Sequence, residues 1–237
     1  MRLVEEQKYI CFKRNGESNE EHSVLLTEHA MDIYTDGEMY TSVVCTKEWL
    51  PELVIGRIIC DGMISSIDEV KTLKISEDYS VADVEIVSGA EKLEEECFGD
   101  NRECEYSDEW IFSMADTMAA GMALHEKTWA THSCFLYEQG ELLFCCEDIS
   151  RHNAVDKVIG FAVKNKIDLR QCAIYTSGRV PVDMVDKVIT AGISVLVSKG
   201  MPTFQAVELA KEAGITLVCG ARRDQMRIYV DNRRKKF

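Results

Sequence analysis

The stretch that decides the fold runs from residue 147 to residue 160 and reads Glu147-Asp148-Ile149-Ser150-Arg151-His152-Asn153-Ala154-Val155-Asp156-Lys157-Val158-Ile159-Gly160. Directly before it, residues 142–146 form a short apolar run typical of a buried strand. Within and after it, Val155, Val158, Ile159 and Val163 recur at the spacing of a helix. The polar cluster between the two runs therefore marks a strand-to-helix junction, the place where α/β proteins hold ligands.

The start of this helix is a candidate anion site. Asp148 or Ser150 can cap it, and its first free N–H groups lie beside Arg151, His152 and Lys157. Asn153 and Asp156 add further donors and acceptors, a density that suits a polar ligand with many hydrogen-bonding groups. A capped helix with a solvated charged face is the alternative for any one of these residues taken alone.

Strand and helix patterns alternate on both sides of the junction. An amphipathic helix is predicted over residues 108–126, capped by Asp108 and with its methionines in the core. A hairpin over 135–146 and strands at 173–175, 193–197 and 215–218 follow, with helices from Ala154, Met184 and Phe204 between them. This order predicts a mostly parallel sheet covered by helices, and the run 226–230 adds an edge strand.

The N-terminal part has a different pattern. Short apolar runs between residues 24 and 87 predict strands, Asp36-Gly37 predicts a hairpin turn, and residues 49–59 predict one helix. Residues 88–107 lose all periodicity and are rich in acids, which is typical of a loop. We therefore expect a small α+β domain at 1–87, a flexible cysteine-bearing loop at 88–107 and an α/β domain at 108–237.

Three more polar segments lie at the ends of predicted strands: residues 128–132, 177–179 and 220–225. In a parallel sheet the second and third meet at the carboxyl edge, near the helix that starts at the junction. A Ser-Gly-Arg after a strand is on its own more typical of a turn, and a single histidine at a strand start of a structural residue. Together they predict one pocket, with these candidates: His132, Ser177, Gly178, Arg179, Gly220, Ala221, Arg222, Arg223, Asp224 and Gln225.

Composition bounds the function classes. The 237 residues are 46% hydrophobic, enough for a folded core, and the net charge of −14 argues against a nucleic-acid-binding protein. No apolar run is long enough to span a membrane and the N-terminus lacks a signal-peptide pattern, so we expect a cytoplasmic protein. Its ten cysteines are then expected to be mostly thiols.

Glu147-Asp148, then residues 151–157 and then Gly160 resemble the signature of the FdhD family, the sulfur-carrier accessory proteins of formate dehydrogenase. The resemblance runs from about residue 28 to residue 229 and implies a C-terminal fold similar to cytidine deaminases, with a homodimer as the expected assembly. It also implies that a cysteine desulfurase supplies sulfur, which the protein passes to bis-molybdopterin guanine dinucleotide, the molybdenum cofactor, for formate dehydrogenase.

The family resemblance implies a role for each polar segment. The guanine end of the cofactor is expected at His132, at Ser177-Gly178-Arg179, at residues 220–225 and at these residues of the signature: Asp148, Arg151, His152, Asn153, Asp156 and Lys157. Two segments depart from the family pattern. Residues 128–132 read Thr-Trp-Ala-Thr-His without the family's two glycines, and residues 220–223 lack its aromatic residue and its final glycine.

The cysteines are the largest departure. The family carries Cys-x-x-Cys between its domains, whereas Cys97 and Cys104 are seven positions apart in the corresponding loop. We expect one of them to carry sulfur as a persulfide from an exposed position, with acidic neighbours that raise the pKa of the thiol. The alternative is a relative that binds cofactor or nucleotide without sulfur transfer. A zinc deaminase is disfavoured because His-x-Glu and Pro-Cys-x-x-Cys are both missing.

Overall fold

The computed structural model describes residues 2–87 and 104–232. Residues 2–87 contain six strands and one α-helix: β1 (Val4–Phe12), β2 (Ser18–Leu26), β3 (His29–Thr35), β4 (Glu38–Cys45), α1 (Leu50–Cys60), β5 (Val70–Ile75) and β6 (Val81–Ile86). We call this part the N-terminal half. The helix predicted at 49–59 and the strands predicted from residue 31 onward are confirmed. The hairpin of β1 and β2 was predicted only at residues 24–26, because its polar, mostly exposed strands lack an apolar face.

The strands of this half form two sheets. β1 and β2 pair with each other, and the other four are ordered β4-β3-β6-β5. Asp36 and Gly37 make the predicted two-residue turn between β3 and β4, both with positive φ (52° and 80°). This backbone matches the twist of an antiparallel hairpin, which explains the Asp-Gly pair.

Residues 104–232, the C-terminal half, contain five α-helices and six strands: α2 (Asp108–Ala119), α3 (Ala123–Thr128), β7 (His132–Glu138), β8 (Glu141–Asp148), α4 (Arg151–Lys164), β9 (Cys172–Thr176), α5 (Val182–Thr190), β10 (Val195–Ser198), α6 (Phe204–Glu212), β11 (Thr216–Cys219) and β12 (Arg227–Val230). The predicted helix over 108–126 is in fact two helices, separated at Gly121, whose φ is 85°. Ser107, not Asp108, caps the first, since its Oγ accepts from Trp110 N at 3.2 Å.

The six strands of this half form one sheet in the order β12-β11-β10-β9-β7-β8. Only the three central strands, β9, β10 and β11, are parallel, while β7, β8 and the edge strand β12 pair antiparallel. The predicted hairpin of β7 and β8 is confirmed, but β7 also pairs antiparallel with β9, and β12 with β11, so the sheet is mixed and the prediction of a mostly parallel sheet is wrong. The likeness to cytidine deaminases and the division into two domains stay predictions.

Alternate residues of the six-stranded sheet face two cores, as the two-residue period of strands requires. One face, with Cys134, Leu136 and Cys146, joins the larger core, which also contains α1, α4, α5, α6 and the four-stranded sheet. The other face, with Phe135 and Tyr137, packs against α2, where Met114 and Met118 are buried as predicted. The two halves of the chain thus share one hydrophobic core.

Helices α1 and α4 cross at two glycines. Gly56 lies against the backbone of Asp156, and Gly160 lies against the backbone of Glu52 and Gly56. A Cβ at either glycine would overlap a backbone carbonyl of the facing helix. Because backbone cannot move aside as a flexible side chain does, this contact requires glycine on both helices.

Gly56→Ala and Gly160→Ala should each lower the free energy of unfolding by about 1–3 kcal/mol, since a methyl group would force the helices apart. In a helix without such a neighbour the same change raises stability by about 0.5–1 kcal/mol, so the sign of the effect is diagnostic. Urea unfolding followed by circular dichroism measures it. An unchanged or raised midpoint in both variants would contradict the close crossing.

No helix within residues 2–87 or 104–232 combines the length and the hydropathy needed to cross a membrane.

Candidate functional site

One edge of the six-stranded sheet collects the polar segments that the sequence predicted. The antiparallel pairing places His132, at the start of β7, beside the end of β8 and close to the end of β9. The segments after β9 and β11 leave the sheet at the same edge, and β12 enters there with Arg227 opposite Cys219. The prediction that residues 177–179 lie near the start of α4 is confirmed by the approach of Gly178 to Arg151. Residues 220–225 lie at the same edge of the sheet, and their distance from α4 stays a prediction.

Three loops at this edge are bonded to one another. Lys199 N donates to Thr176 O at 3.0 Å, Gly220 N to Gly200 O at 2.8 Å and Ala221 N to Ser198 O at 3.0 Å. The N–H groups of Gly220 and Ala221 are therefore engaged within the protein. The loops after β9 (residues 177–179), β10 (199–201) and β11 (220–225) are consequently connected through their backbones, and we call this connected edge the rim.

Close packing at the rim again depends on glycine. A Cβ at Gly178 would lie 2.8 Å from the Arg151 side chain, and a Cβ at Gly200 would lie 2.7 Å from the Arg179 backbone. Gly178 thereby lets α4 begin directly against the loop after β9. This contact orients Arg151, whose buried Nε finds no hydrogen-bond partner among the residues that the structure describes.

His132 and Ser177 meet beside Arg151. Nδ1 of His132 lies 3.3 Å from Ser177 Oγ, which also accepts from Ser133 N at 2.9 Å. Burial, together with the positive charge of Arg151, lowers the pKa of His132. Its ring is therefore neutral near pH 7, with one nitrogen able to donate and the other able to accept a hydrogen bond.

The rim is rich in cations although the whole chain carries a net charge of −14. Arg151 is half-buried, and the exposed basic residues of the three loops and of β12 are these: Arg179, Lys199, Arg222, Arg223 and Arg227. Arg223 Nε pairs with Asp116 at 3.3 Å, and Asp224 and Gln225 complete an exposed turn. An anionic ligand that carries several acceptors would find complementary charge at this edge.

The remaining residues of the 147–160 stretch lie in the interior. Lys157 Nζ is 2.6 Å from Asp148 Oδ2, and both side chains are fully buried. Thr46, from the N-terminal half, donates its backbone N–H to the same carboxylate at 3.0 Å and lies 2.7 Å from Lys157 Nζ through its Oγ1. Asn153 donates to Asp148 Oδ1 at 2.9 Å and to Val44 O at 2.8 Å. These bonds join the end of β4 to the start of α4.

A second buried ion pair involves Asp156, the residue directly before Lys157 on α4. Asp156 Oδ1 is 2.5 Å from Lys187 Nζ of α5, and burial raises the pKa of Asp156 while Lys187 opposes that rise. The structure thus gives Asp148, Asn153, Asp156 and Lys157 a role in holding elements together, in place of the predicted contact with a ligand. Ser150 stands at the N-cap of α4, but its side chain makes no capping bond.

His152 points away from the rim. Its Nε2 lies 3.6 Å from Asp183 Oδ2, at the wall of a cavity of about 560 Å³ between the two halves. Arg57, Asp61 and Lys187 also line this cavity. At the start of α4, Arg151 lies against Gly178 at the rim, whereas His152 lines this cavity, and the predicted grouping of the two is corrected accordingly.

The two candidate sulfur carriers have different standing. Cys97 lies outside the described residues. Cys104 is half-buried, not exposed as predicted: its Sγ donates to Gln171 O at 3.4 Å and packs against the core on the α2 face. Burial, with a smaller contribution from Glu138, raises the pKa of Cys104 to about 11. The prediction that the pKa of this thiol is raised is confirmed, but the main cause is burial and not acidic neighbours.

A family model of the FdhD/NarQ family matches residues 26–236. The chain belongs to the FdhD/NarQ family. It is 30% identical over 251 residues to the sulfur carrier protein FdhD of Geobacillus kaustophilus, covering 95% of each chain. It is 31% identical over 207 residues to protein FdhD of Methanocaldococcus jannaschii, covering 87% of this chain and 88% of the relative. The resemblance seen in the sequence is confirmed.

The fold agrees with the same family. A crystal structure of a proposed formate dehydrogenase accessory protein from Desulfotalea psychrophila superposes with a TM-score of 0.86, at 25% identity, over 98% of this chain and 99% of that one. The mixed α/β architecture with several sheets is therefore that of an FdhD protein.

Sequence reasoning missed two residues of this FdhD site. Lys199 follows a buried strand in Ser198-Lys199-Gly200, the same type of position as Ser177-Gly178-Arg179, so that pattern could have revealed it. Thr46 gives no such signal, because its partner Asp148 is 102 residues away. Glu147, at the start of the quoted stretch, has a structural role. It accepts from Leu124 N at 2.9 Å and His125 N at 2.7 Å and so fixes the start of α3.

Lys157→Met should lower the free energy of unfolding by about 3–5 kcal/mol, because it leaves the Asp148 carboxylate buried without its cation. Lys166→Met is the matched control, since it breaks an exposed pair with Asp68 and should change stability by about 0.5 kcal/mol or less. Asp148→Asn combined with Lys157→Met should cost less than the sum of the single changes. Equal, small effects of Lys157→Met and Lys166→Met in denaturant titrations would contradict the account.

Proposed function

We propose that this protein is a sulfur carrier for formate dehydrogenase that binds the guanine dinucleotide form of the molybdenum cofactor at the cationic rim. The observation that carries the proposal is the convergence of Arg151, Arg179 and Lys199 on one glycine-lined edge of an otherwise acidic FdhD-family protein. The curated relatives named sulfur carrier protein FdhD and the accessory protein of similar fold support the same role.

The rim fits the nucleotide end of that cofactor in three ways. Its basic side chains can neutralise a diphosphate, and Arg179 can present a planar fork to phosphate or to a guanine edge. The buried Arg151 Nε supplies an unpaired donor. Gly178 and Gly200 let the loops pack closely against Arg151 and the Arg179 backbone, because a Cβ at either glycine would clash with them. When bound, the cofactor would supply the metal that receives the sulfur, and the residues of this chain would hold its nucleotide.

We further propose that a thiolate of this chain takes over sulfane sulfur from a cysteine desulfurase. The thiolate attacks the terminal sulfur of the donor's persulfide, a new S–S bond forms on the carrier, and the donor leaves as a thiolate, so no external oxidant is required. Cys104 is poorly suited because its raised pKa leaves little thiolate at pH 7. We therefore assign the sulfur to Cys97 in the first instance. We also propose that the protein acts in the cytoplasm and that it forms a homodimer.

A second candidate function is binding of the cofactor or nucleotide without sulfur transfer. The partial burial of Cys104 and the lack of Cys-x-x-Cys in the sequence favour it. The two functions share the rim and differ only in the thiol chemistry.

The rim is tested by calorimetry with GDP. We expect GDP to bind more tightly than ADP, binding to weaken as salt is added, and Arg179→Ala to weaken it by roughly tenfold, the loss of one charge-assisted contact. Arg170→Ala is the matched control, because Arg170 is an exposed arginine paired with Asp168 just before β9, at the opposite end of that strand. Equal binding of GDP and ADP, or equal effects of the two variants, would argue against the rim.

Sulfur transfer is tested with a desulfurase and cysteine, followed by mapping of persulfide by mass spectrometry. Cys97→Ser should abolish the persulfide and leave GDP binding intact, whereas Cys104→Ser should preserve most of it at pH 7. Any labelling of Cys104 should increase as pH approaches its pKa of about 11, since the thiol is protonated below that value. Persulfide at neither cysteine, with GDP still bound, would favour the second candidate function.

A further inference from the structure

Trp129 is a large aromatic residue in an unfavourable conformation on the surface. It ends α3 with φ 54° and ψ 19°, in the left-handed region, and 79% of its surface is exposed. Bulky side chains rarely adopt this backbone, and packing within the described part of the protein covers little of the indole. Backbone strain of this kind persists where neighbouring structure holds it and is concentrated at functional sites.

The neighbouring structure holds Trp129 firmly. The backbone N–H of Trp129 donates to His125 O at 2.7 Å. The indole ring lies edge-on to the His125 ring, with centroids 5.5 Å apart. His125 is fixed in turn through its N–H to Glu147 and its Nδ1 to Thr131 O at 2.8 Å. The indole is therefore an oriented plane rather than a loosely attached side chain.

The chain leads from this plane directly to the rim. Three residues after Trp129 the chain reaches His132, which contacts Ser177 and lies beside Arg151. Thr131, between them, is tied by its Oγ1 to Glu147 at 2.8 Å. An aromatic face beside basic side chains is the combination that binds a nucleotide, because the base stacks while the cations hold the phosphates.

Trp49 shows what a tryptophan in the same conformation looks like when packing within the protein accounts for it. It also borders a helix, with φ 58° and ψ 40°. Its ring, however, packs edge-on against Phe144 with centroids 4.9 Å apart, and its exposure is 44%. Trp129 lies far more open to solvent, so its aromatic face is available to a ligand.

We propose that Trp129 is the stacking platform for the heteroaromatic base of the ligand bound at the rim. The inference rests on the proposed function and assigns it a residue for base binding. Stacking does not read the hydrogen-bonding edge of a base, so Trp129 contributes affinity for the base while discrimination between guanine and adenine lies with other groups.

The test is calorimetry with GDP, ADP and pyrophosphate on wild type, Trp129→Gly and Trp129→Phe, with thermal unfolding in parallel. Trp129→Gly should weaken GDP and ADP by a similar factor, on the order of tenfold, and leave pyrophosphate unchanged because it has no base. Trp129→Phe should retain most of the affinity. Since glycine adopts positive φ without strain, Trp129→Gly should also unfold at the same or a higher temperature than wild type.

Trp49→Gly is the matched control and should lower the unfolding temperature without changing the affinity for GDP. If wild type binds GDP and Trp129→Gly binds it equally well, the stacking role is overturned while the proposed function stands. Equal weakening of GDP and pyrophosphate would also overturn it, because the variant would then have disturbed the rim as a whole. If wild type binds none of the three ligands, both proposals fail.

Discussion

The buried contact of Lys157 with Asp148 and Thr46 is the constraint on which the rest of the structure depends. It places an ammonium, a carboxylate and a threonine where water is excluded, and each satisfies the others' hydrogen bonds. A buried ion pair adds little stability in itself, but loss of one member is costly, so the three residues must occur together. Because Thr46 belongs to the N-terminal half and the pair to the C-terminal half, the contact fixes how the end of β4 meets the start of α4.

That junction positions the rim. Asp148 accepts from Ser150 N and Asn153 and so sets the first turn of α4, which in turn places Arg151 against Gly178. The glycine crossing lets α4 lie with its backbone directly against that of α1. The family signature therefore has two physical parts: an interior part that holds the two halves, and Arg151, which faces the loops of the rim.

The sequence predicted the elements better than the roles of their side chains. Helix α1, strands β7 to β12 and the shared sheet edge follow from local periodicity, which needs only neighbouring residues. Composition could not show that the polar residues Asp148, Asn153, Asp156 and Lys157 are buried, because their partners Thr46, Val44 and Lys187 are distant in the chain. The antiparallel pairing of β7 with β9 and of β12 with β11 could not be predicted for a related reason: which strands pair is not a local property of the sequence.

Hydrogen exchange followed by mass spectrometry, with and without GDP, tests most directly whether the junction presents a ligand site at the sheet edge. The account predicts added protection in the rim loops at 177–179, 199–201 and 220–222, with little change at 42–46 and 183–187. It also predicts that residues 153–160 are strongly protected before GDP is added, since they lie in the interior. Protection confined to the cavity around Arg57, His152 and Asp183, with the rim unchanged, would contradict it.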